Sequence, residues 1–313
     1  VIILATSWVL LQEIVKLFLI MCMGFALIKS GHLKSSDGRS LSVLLVYLII
    51  PCVIIHSFQI DAADEVKQGL VFAFGAAVFV HIFFILLTKV LKPVFHLQII
   101  ERISMIYTNA GILVIPLVQA ILGQEYVIYS CAFMMVQLIF LWTHAAYTMN
   151  SSEGIQIHNI LHNINVIAII VGSLLFLCHL RLPPLIDQTI AMTGSMIGPV
   201  GMLITGMAIA ESSLRDVFMH WRSYIPIMLR LVVYPLLLIA VFAVLGVVGW
   251  LADGKNVLMT VYIASITPTA AVVTSMAQLY RQDPTYAAAL CVVSTILSIG
   301  TMPVLLYVFM MVL

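Results

Sequence analysis

Apolar stretches long enough to cross the hydrocarbon core of a bilayer, which takes roughly 20 residues of helix, recur along almost the whole chain. They fall approximately at 8–28, 40–58, 67–91, 101–122, 126–149, 159–180, 185–210, 223–250, 257–279 and 285–312. The connections between them are short and polar, for example KSGHLKSSDGR, DAADEVKQ, NSSEGIQIH and ADGKN, and none has room for an extramembrane domain. This spacing predicts an all-α polytopic membrane protein with ten transmembrane helices. The layout divides into a first five-helix repeat over 1–149 and a second over 150–313. An odd number of crossings turns the second half upside down, giving an inverted repeat about an axis in the membrane plane. Sequence identity between the halves is faint, so the repeat rests on layout.

Composition supports the same class. The chain is 63% hydrophobic and 9% charged, against about 25% charged in soluble domains. A globule in water must cover itself with polar residues, so this composition implies an exterior covered by lipid. A net charge of +1 gives no electrostatic footprint for nucleic acid. Cys22, Cys52, Cys131, Cys178 and Cys291 lie in apolar runs without a C-x-x-C pair and read as packing residues. The first run lacks a basic leader and a small-residue cleavage site, so it reads as a span rather than a removable signal. Basic residues favour the cytoplasmic side of short loops. With ten spans, Lys29, Lys34, Arg39, Lys89, Lys92, Arg102, Arg215, Arg222 and Arg281 share one side, and Lys67, Arg181 and Lys255 the other. That bias puts both termini outside.

Two runs carry helix breakers at mid-depth. The fourth reads YTNAGILVIPLVQAILG, with Asn109, Gly111 and Pro116 inside it; the ninth reads YIASITPTAAVVTSMAQLY, with Thr267, Pro268 and Thr269. Proline removes a helical hydrogen bond and clashes with the preceding turn, so each span is expected to divide into half-helices. Lipid cannot satisfy the backbone groups opened at such a break. Paired interruptions in corresponding places of two halves therefore point to crossing broken helices 4 and 9 and to a substrate site at the midplane. Half-helix N-termini would hold a carboxylate there without a buried lysine or arginine, for which the sequence offers no evident candidate. Each proline also reads as an ordinary kink, as do Pro51, Pro199, Pro226, Pro235 and Pro303. Joint position and the polar neighbours favour the breaks.

Other polar residues carry two readings each. Gln137 lies beside the expected site and reads either as a substrate or broken-helix ligand or as an interhelical hydrogen bond. Thr108, Ser265, Thr267 and Thr269 line the pocket on one reading and bond their own helix carbonyls on the other. His56 and His81 are candidates for proton handling, because imidazole titrates near neutrality; the competing reading is a buried neutral imidazole that hydrogen-bonds, and His144 is similar. Glu13 and Lys16 are spaced to pair on one helix face. Arg230 lies about two turns inside the eighth run and is expected to snorkel or to neutralise an acid such as Glu211.

The stretch Asn109-x-Gly111-x-x-x-x-Pro116-Leu117, followed by Gly123 and a short acidic turn, resembles the fourth span of the auxin efflux carrier family. Pro268 through Ala277-x-x-Tyr280 to Pro284, and then STILSIGTMPVLL at 294–306, resemble its ninth and tenth spans. GHL at 31–33 and LVYLIIP ending at Pro51 fit its first two. The resemblance covers nearly the whole chain and implies inverted five-helix repeats crossing at spans 4 and 9. It also implies a scaffold of helices 1, 2, 6 and 7 that forms a homodimer, and a mobile transport part of helices 3–5 and 8–10. Asn109 and Pro116 carry over onto the first crossover and Pro268 onto the second. The short connection at 150–158 differs from the long hydrophilic loop of plant auxin exporters, which is similar to the bacterial malate and malonate permease branch and implies a bacterial inner membrane.

Sequence signatures of hydrolases, metalloproteases and ATP-binding loops are missing, so no enzyme activity, metal or cofactor is expected and transport would draw on gradients. The expected function is secondary transport of a small organic anion, a mono- or dicarboxylate such as malate or malonate, or an auxin-like acid, by an elevator-type mechanism. The alternatives are a sodium-coupled organic anion symporter of the bile-acid-carrier type, weakened by the lack of a Glu or Gln cluster at the ninth-span break, and a channel or non-transporting ligand sensor.

Overall fold

The computed structural model describes residues 2–34, 37–60, 63–149, 163–211 and 221–313. Arg215, the connection at 150–158 and the side chains of Arg39 and Glu211 lie outside the described residues. All regular elements among the described residues are helical. Among the described residues, seven helices are long and apolar enough to span a membrane: Leu11–Lys29, Ser40–Ser57, Asp64–Phe95, Gln124–Met149, Pro184–Met207, Trp221–Leu245 and Pro284–Val312. Two shorter apolar helices, Ala110–Ile121 and Ile164–Leu177, accompany them. Large apolar side chains such as Val71, Leu86, Leu185 and Val244 face outward, as lipid contact requires.

Proline shapes several helices without ending them. Pro51, Pro116 and Pro235 each sit at the second position of an α-helical segment. Each of those segments follows a widened π-helical turn, at Leu45–Ile49, Ala110–Val114 and Leu229–Val233 respectively. A proline lacks the N–H for the i−4 carbonyl and its ring clashes with that carbonyl; widening the turn before it relieves both. The third of these turns contains Arg230.

The helices Ile2–Lys29 and Ile197–Glu211 pack along each other at backbone distance. A Cβ on Gly206 would lie 1.9 Å from the Met21 carbonyl oxygen, and one on Gly24 would lie 2.3 Å from that of Leu203. Such small-residue contacts are how membrane helices gain dispersion energy where no hydrophobic drive exists. The other face of Ile197–Glu211 meets the helix Ala110–Ile121. There a Cβ on Gly201 would lie 2.3 Å from Ile112 Cγ2, and one on Gly198 would lie 3.5 Å from the Pro116 ring. Lys16 donates to Glu13 at 2.6 Å, the pairing their spacing predicts. The cysteines divide: Cys131 and Cys291 are buried, whereas Cys22 and Cys178 are exposed. The packing reading is therefore corrected for the exposed pair, which lie on the outer surface.

Candidate functional site

Two helices are interrupted at buried residues, Tyr107–Asn109 and Thr267–Ala270. The helix Ile99–Ile106 ends in extended Tyr107 (φ −96°, ψ 129°), and the chain resumes as a helix at Ala110. The helix Gly254–Ile266 ends in extended Thr267 (φ −63°, ψ 155°), and the next helix is Val272–Leu279. Thr267 is extended for a local reason: the ring of Pro268 excludes the helical region for the residue before it.

The two interruptions cross and pair. Thr108 and Thr269 form an isolated antiparallel bridge. Asn109 N–H donates to the Pro268 carbonyl at 2.8 Å, and Ala270 N–H donates to the Tyr107 carbonyl at 3.1 Å. Each break thus supplies partners the other lost, which answers the demand that buried backbone groups be satisfied. Proline at 268 needs to contribute only its carbonyl, so the missing N–H costs nothing in this bridge.

Neighbouring side chains complete the pairing. The Gln137 carboxamide acts as a surrogate peptide group for Thr108: Oε1 accepts from its N–H at 3.1 Å and from its hydroxyl at 2.8 Å, while Nε2 donates to its carbonyl at 2.8 Å. Thr269 N–H donates to Ser294 Oγ at 3.2 Å, and Thr269 Oγ1 donates to the Ser104 carbonyl at 3.1 Å. Thr267 Oγ1 donates to the Ala264 carbonyl at 3.0 Å. Of the two readings of these side chains, the structural one describes their present bonding. Gln137, Thr267 and Thr269 hold the backbone.

What the crossover leaves open lies on the outgoing half-helices. The Asn109 side chain is 6% exposed, and among the described residues its carboxamide makes no hydrogen bond. The N–H groups of Ala110, Gly111 and Ile112 precede the first helical acceptor, as do those of Ala271 and Val272, and the Asn109 side chain at the N-cap position does not cap Ala110–Val114. A Cβ added at Gly111 would lie 3.7 Å from Met134 Cε, an ordinary contact, so this corner is not tightly packed. Unclaimed N–H groups at a helix N-terminus favour negative charge.

Several expectations need correction. Pro116 is not at the first break, which lies at Tyr107–Asn109; it sits within the outgoing helix, accommodated by the widened turn. Arg230 does not snorkel. It is 1% exposed, and its Nη2 donates at 2.7 Å to the carbonyls of both Ser265 and Thr267, with the Phe84 ring 5.5 Å from its guanidinium carbon. The expectation of a site without a buried arginine is thereby overturned. The signal was available, since Arg230 is the one charged residue between 223 and 250, but sequence spacing alone could not show that it reaches the ninth-span break. Ser104 and Ser294 also contribute without having been marked in the sequence.

The histidines separate. His81 is buried, with Nδ1 2.8 Å from the Ala77 carbonyl and its ring stacked on Phe140 at 5.4 Å. That contact assigns the proton to Nδ1, because a carbonyl only accepts. His56 bonds Asp187 Oδ1 at 2.7 Å, joining two helices that carry neither break. His144 bonds the Tyr107 hydroxyl at 3.0 Å. Among the described residues no group of His, Cys, Asp and Glu could hold a metal ion.

A cavity of about 20 Å³ lies among Leu17, Met21, Leu113, Leu117, Met202 and Ser298, room for about one water.

Comparison with curated proteins returns no match. Comparison with protein families matches residues 9–306 to the family described as membrane transport protein. Seven long apolar helices and that match make the chain an integral membrane protein, and it belongs to the membrane transport protein family, that of the auxin efflux carriers.

Proposed function

We propose that this protein is a secondary transporter of a small organic anion, a mono- or dicarboxylate of the malate or malonate kind, working by elevator-type alternating access. One observation carries the reading. The two broken backbones satisfy each other through the Thr108 to Thr269 bridge, and among the described residues this leaves the first N–H groups of the outgoing half-helices and the Asn109 carboxamide without acceptors. A carboxylate matches that set of donors. On this reading the interrupted helices count as spans 4 and 9 of ten, in two inverted halves. Helices 1, 2, 6 and 7 form a scaffold that pairs two copies, with both termini outside a bacterial inner membrane. Asn109, Gly111 and the Pro268 segment contact substrate, while Gln137, Thr267 and Thr269 keep the breaks in register. Pro116 shapes the helix that leaves the first break. On this reading substrate enters when the half-helix Ala110–Ile121, which packs closely on Ile197–Glu211, moves away from it.

The test is counterflow in proteoliposomes with radiolabelled malate, malonate and indole-acetate. Saturable, trans-stimulated uptake of at least one is the expected result. Folded protein that neither binds nor moves any mono- or dicarboxylate would overturn the reading. Binding without flux would make the protein a ligand sensor, and flux that never saturates would make it a channel.

A further inference from the structure

Arg230 combines features that a merely structural arginine seldom shows together. It is 1% exposed in an apolar surrounding, and among the described residues no carboxylate lies within ion-pair distance of it. Its Nε and Nη1 are buried without partners among the described residues. An uncompensated buried charge is costly, so something at this site must favour a cation strongly enough to keep it. That partner is the end of the half-helix Gly254–Ile266. The break at Thr267–Pro268 leaves the last carbonyls of this half-helix without helical donors, at its negative pole. Arg230 Nη2 caps two of them, Ser265 and Thr267, both at 2.7 Å. The face of Phe84 contributes cation–π attraction from another side.

Opened carbonyls at the C-terminal end of a broken half-helix are the ligands with which transporters hold a coupling sodium ion. Here those oxygens already have a cation, and it is attached to the protein. We propose that Arg230 is a tethered counter-cation, occupying by covalent attachment the place that a co-transported monovalent cation would fill at the ninth-span break. The inference deepens the carrier reading and rests on it for its transport consequences. Because a guanidinium cannot be deprotonated in proteins, the positive charge is constant and travels with the break. It balances an anionic substrate on the opposite side of the crossover, and no sodium gradient is needed. The widened turn Leu229–Val233, imposed by Pro235, sets the register of Arg230 within its helix. Arg230 acts through the backbone it caps and is a positioning residue.

The experiment compares wild type, Arg230→Ala and Arg230→Lys in proteoliposomes, with choline replacing sodium throughout or not at all. Wild-type uptake should be the same in both media. Arg230→Ala should lose roughly tenfold or more, the scale of losing charge-assisted hydrogen bonds at a buried site. Low-millimolar guanidinium should restore part of that loss, and Arg230→Lys should retain part of the activity. Wild-type uptake that stops without sodium overturns the inference, as does Arg230→Ala uptake at the wild-type rate in choline. A binding readout separates this failure from failure of the carrier reading. If wild type moves no anion, melting of purified Arg230→Ala still decides: stabilisation by guanidinium or sodium, lacking in wild type, supports the tethered cation, and no shift with any monovalent cation refutes it. Should Arg230→Ala not fold, the sodium independence of wild type and Arg230→Lys carries the same decision.

Discussion

Asn109 and Gln137 are both buried amides at the first break, yet their bonding is opposite. Asn109 has no hydrogen bond of its own side chain among the described residues, so truncating it removes no internal contact. Asn109→Ala should leave melting within about 1 kcal/mol of wild type. Uptake should fall roughly tenfold or more, the effect of one lost hydrogen bond to a charged group; full transport by the folded variant would take Asn109 out of the site. Gln137 holds both backbone groups of Thr108. Gln137→Leu leaves a buried N–H and a buried carbonyl without partners, at about 1–3 kcal/mol each, so its melting temperature in detergent should drop clearly below that of wild type. Unchanged melting would show that other groups can hold Thr108. Both residue types were legible in the sequence as polar positions in apolar runs. Which one is bonded and which is open depends on the path of the neighbouring helix.

At the scale of elements, the prolines do different work despite matching placement in the sequence. Pro268 forces Thr267 out of the helical region and so makes the second break directly, with its carbonyl accepting from Asn109. Pro116 lies beyond the first break, which has no proline; there Thr108 is held extended by the Gln137 carboxamide and the opposite strand-like segment. Pro268→Ala frees residue 267 to continue the helix and should abolish most uptake. Pro116→Ala needs only relaxation of the turn Ala110–Val114 and should keep the larger share of it. The comparison is a paired uptake assay at matched expression, and equal losses would show that both prolines are needed for the crossing. Interruption of both spans was readable from breakers set in apolar runs. The position of the first was not, because a glutamine on another helix creates it.

Across the whole molecule, transport by a sliding half requires that the surface between Ala110–Ile121 and Ile197–Glu211 come apart. A Cβ at position 201 would lie 3.4 Å from the Cβ of Ile112, close to the separation of about 3.8 Å in disulfides. In a background lacking Cys22, Cys52, Cys131, Cys178 and Cys291, the double variant Gly201→Cys, Ile112→Cys should crosslink under mild oxidation. Uptake should stop when it does and return with a reductant. A fully crosslinked protein that still transports would exclude relative motion at this surface.

The sequence by itself determined the solvent of this protein and the general location of its chemistry. Hydrophobic run length and low charge depend on the bilayer alone, and Asn109, Thr267 and Pro268 stand out because polar or breaking residues are costly there. Only the tertiary structure decided how those costs are met. Hydrogen bonds between segments about 160 residues apart, such as Asn109 to Pro268, leave no periodicity in a chain. The same holds for Arg230, whose charge is visible in the sequence but whose two carbonyl partners lie on a different helix. Electrostatic compensation is set by distance in space, and that is fixed only once the two broken helices have crossed.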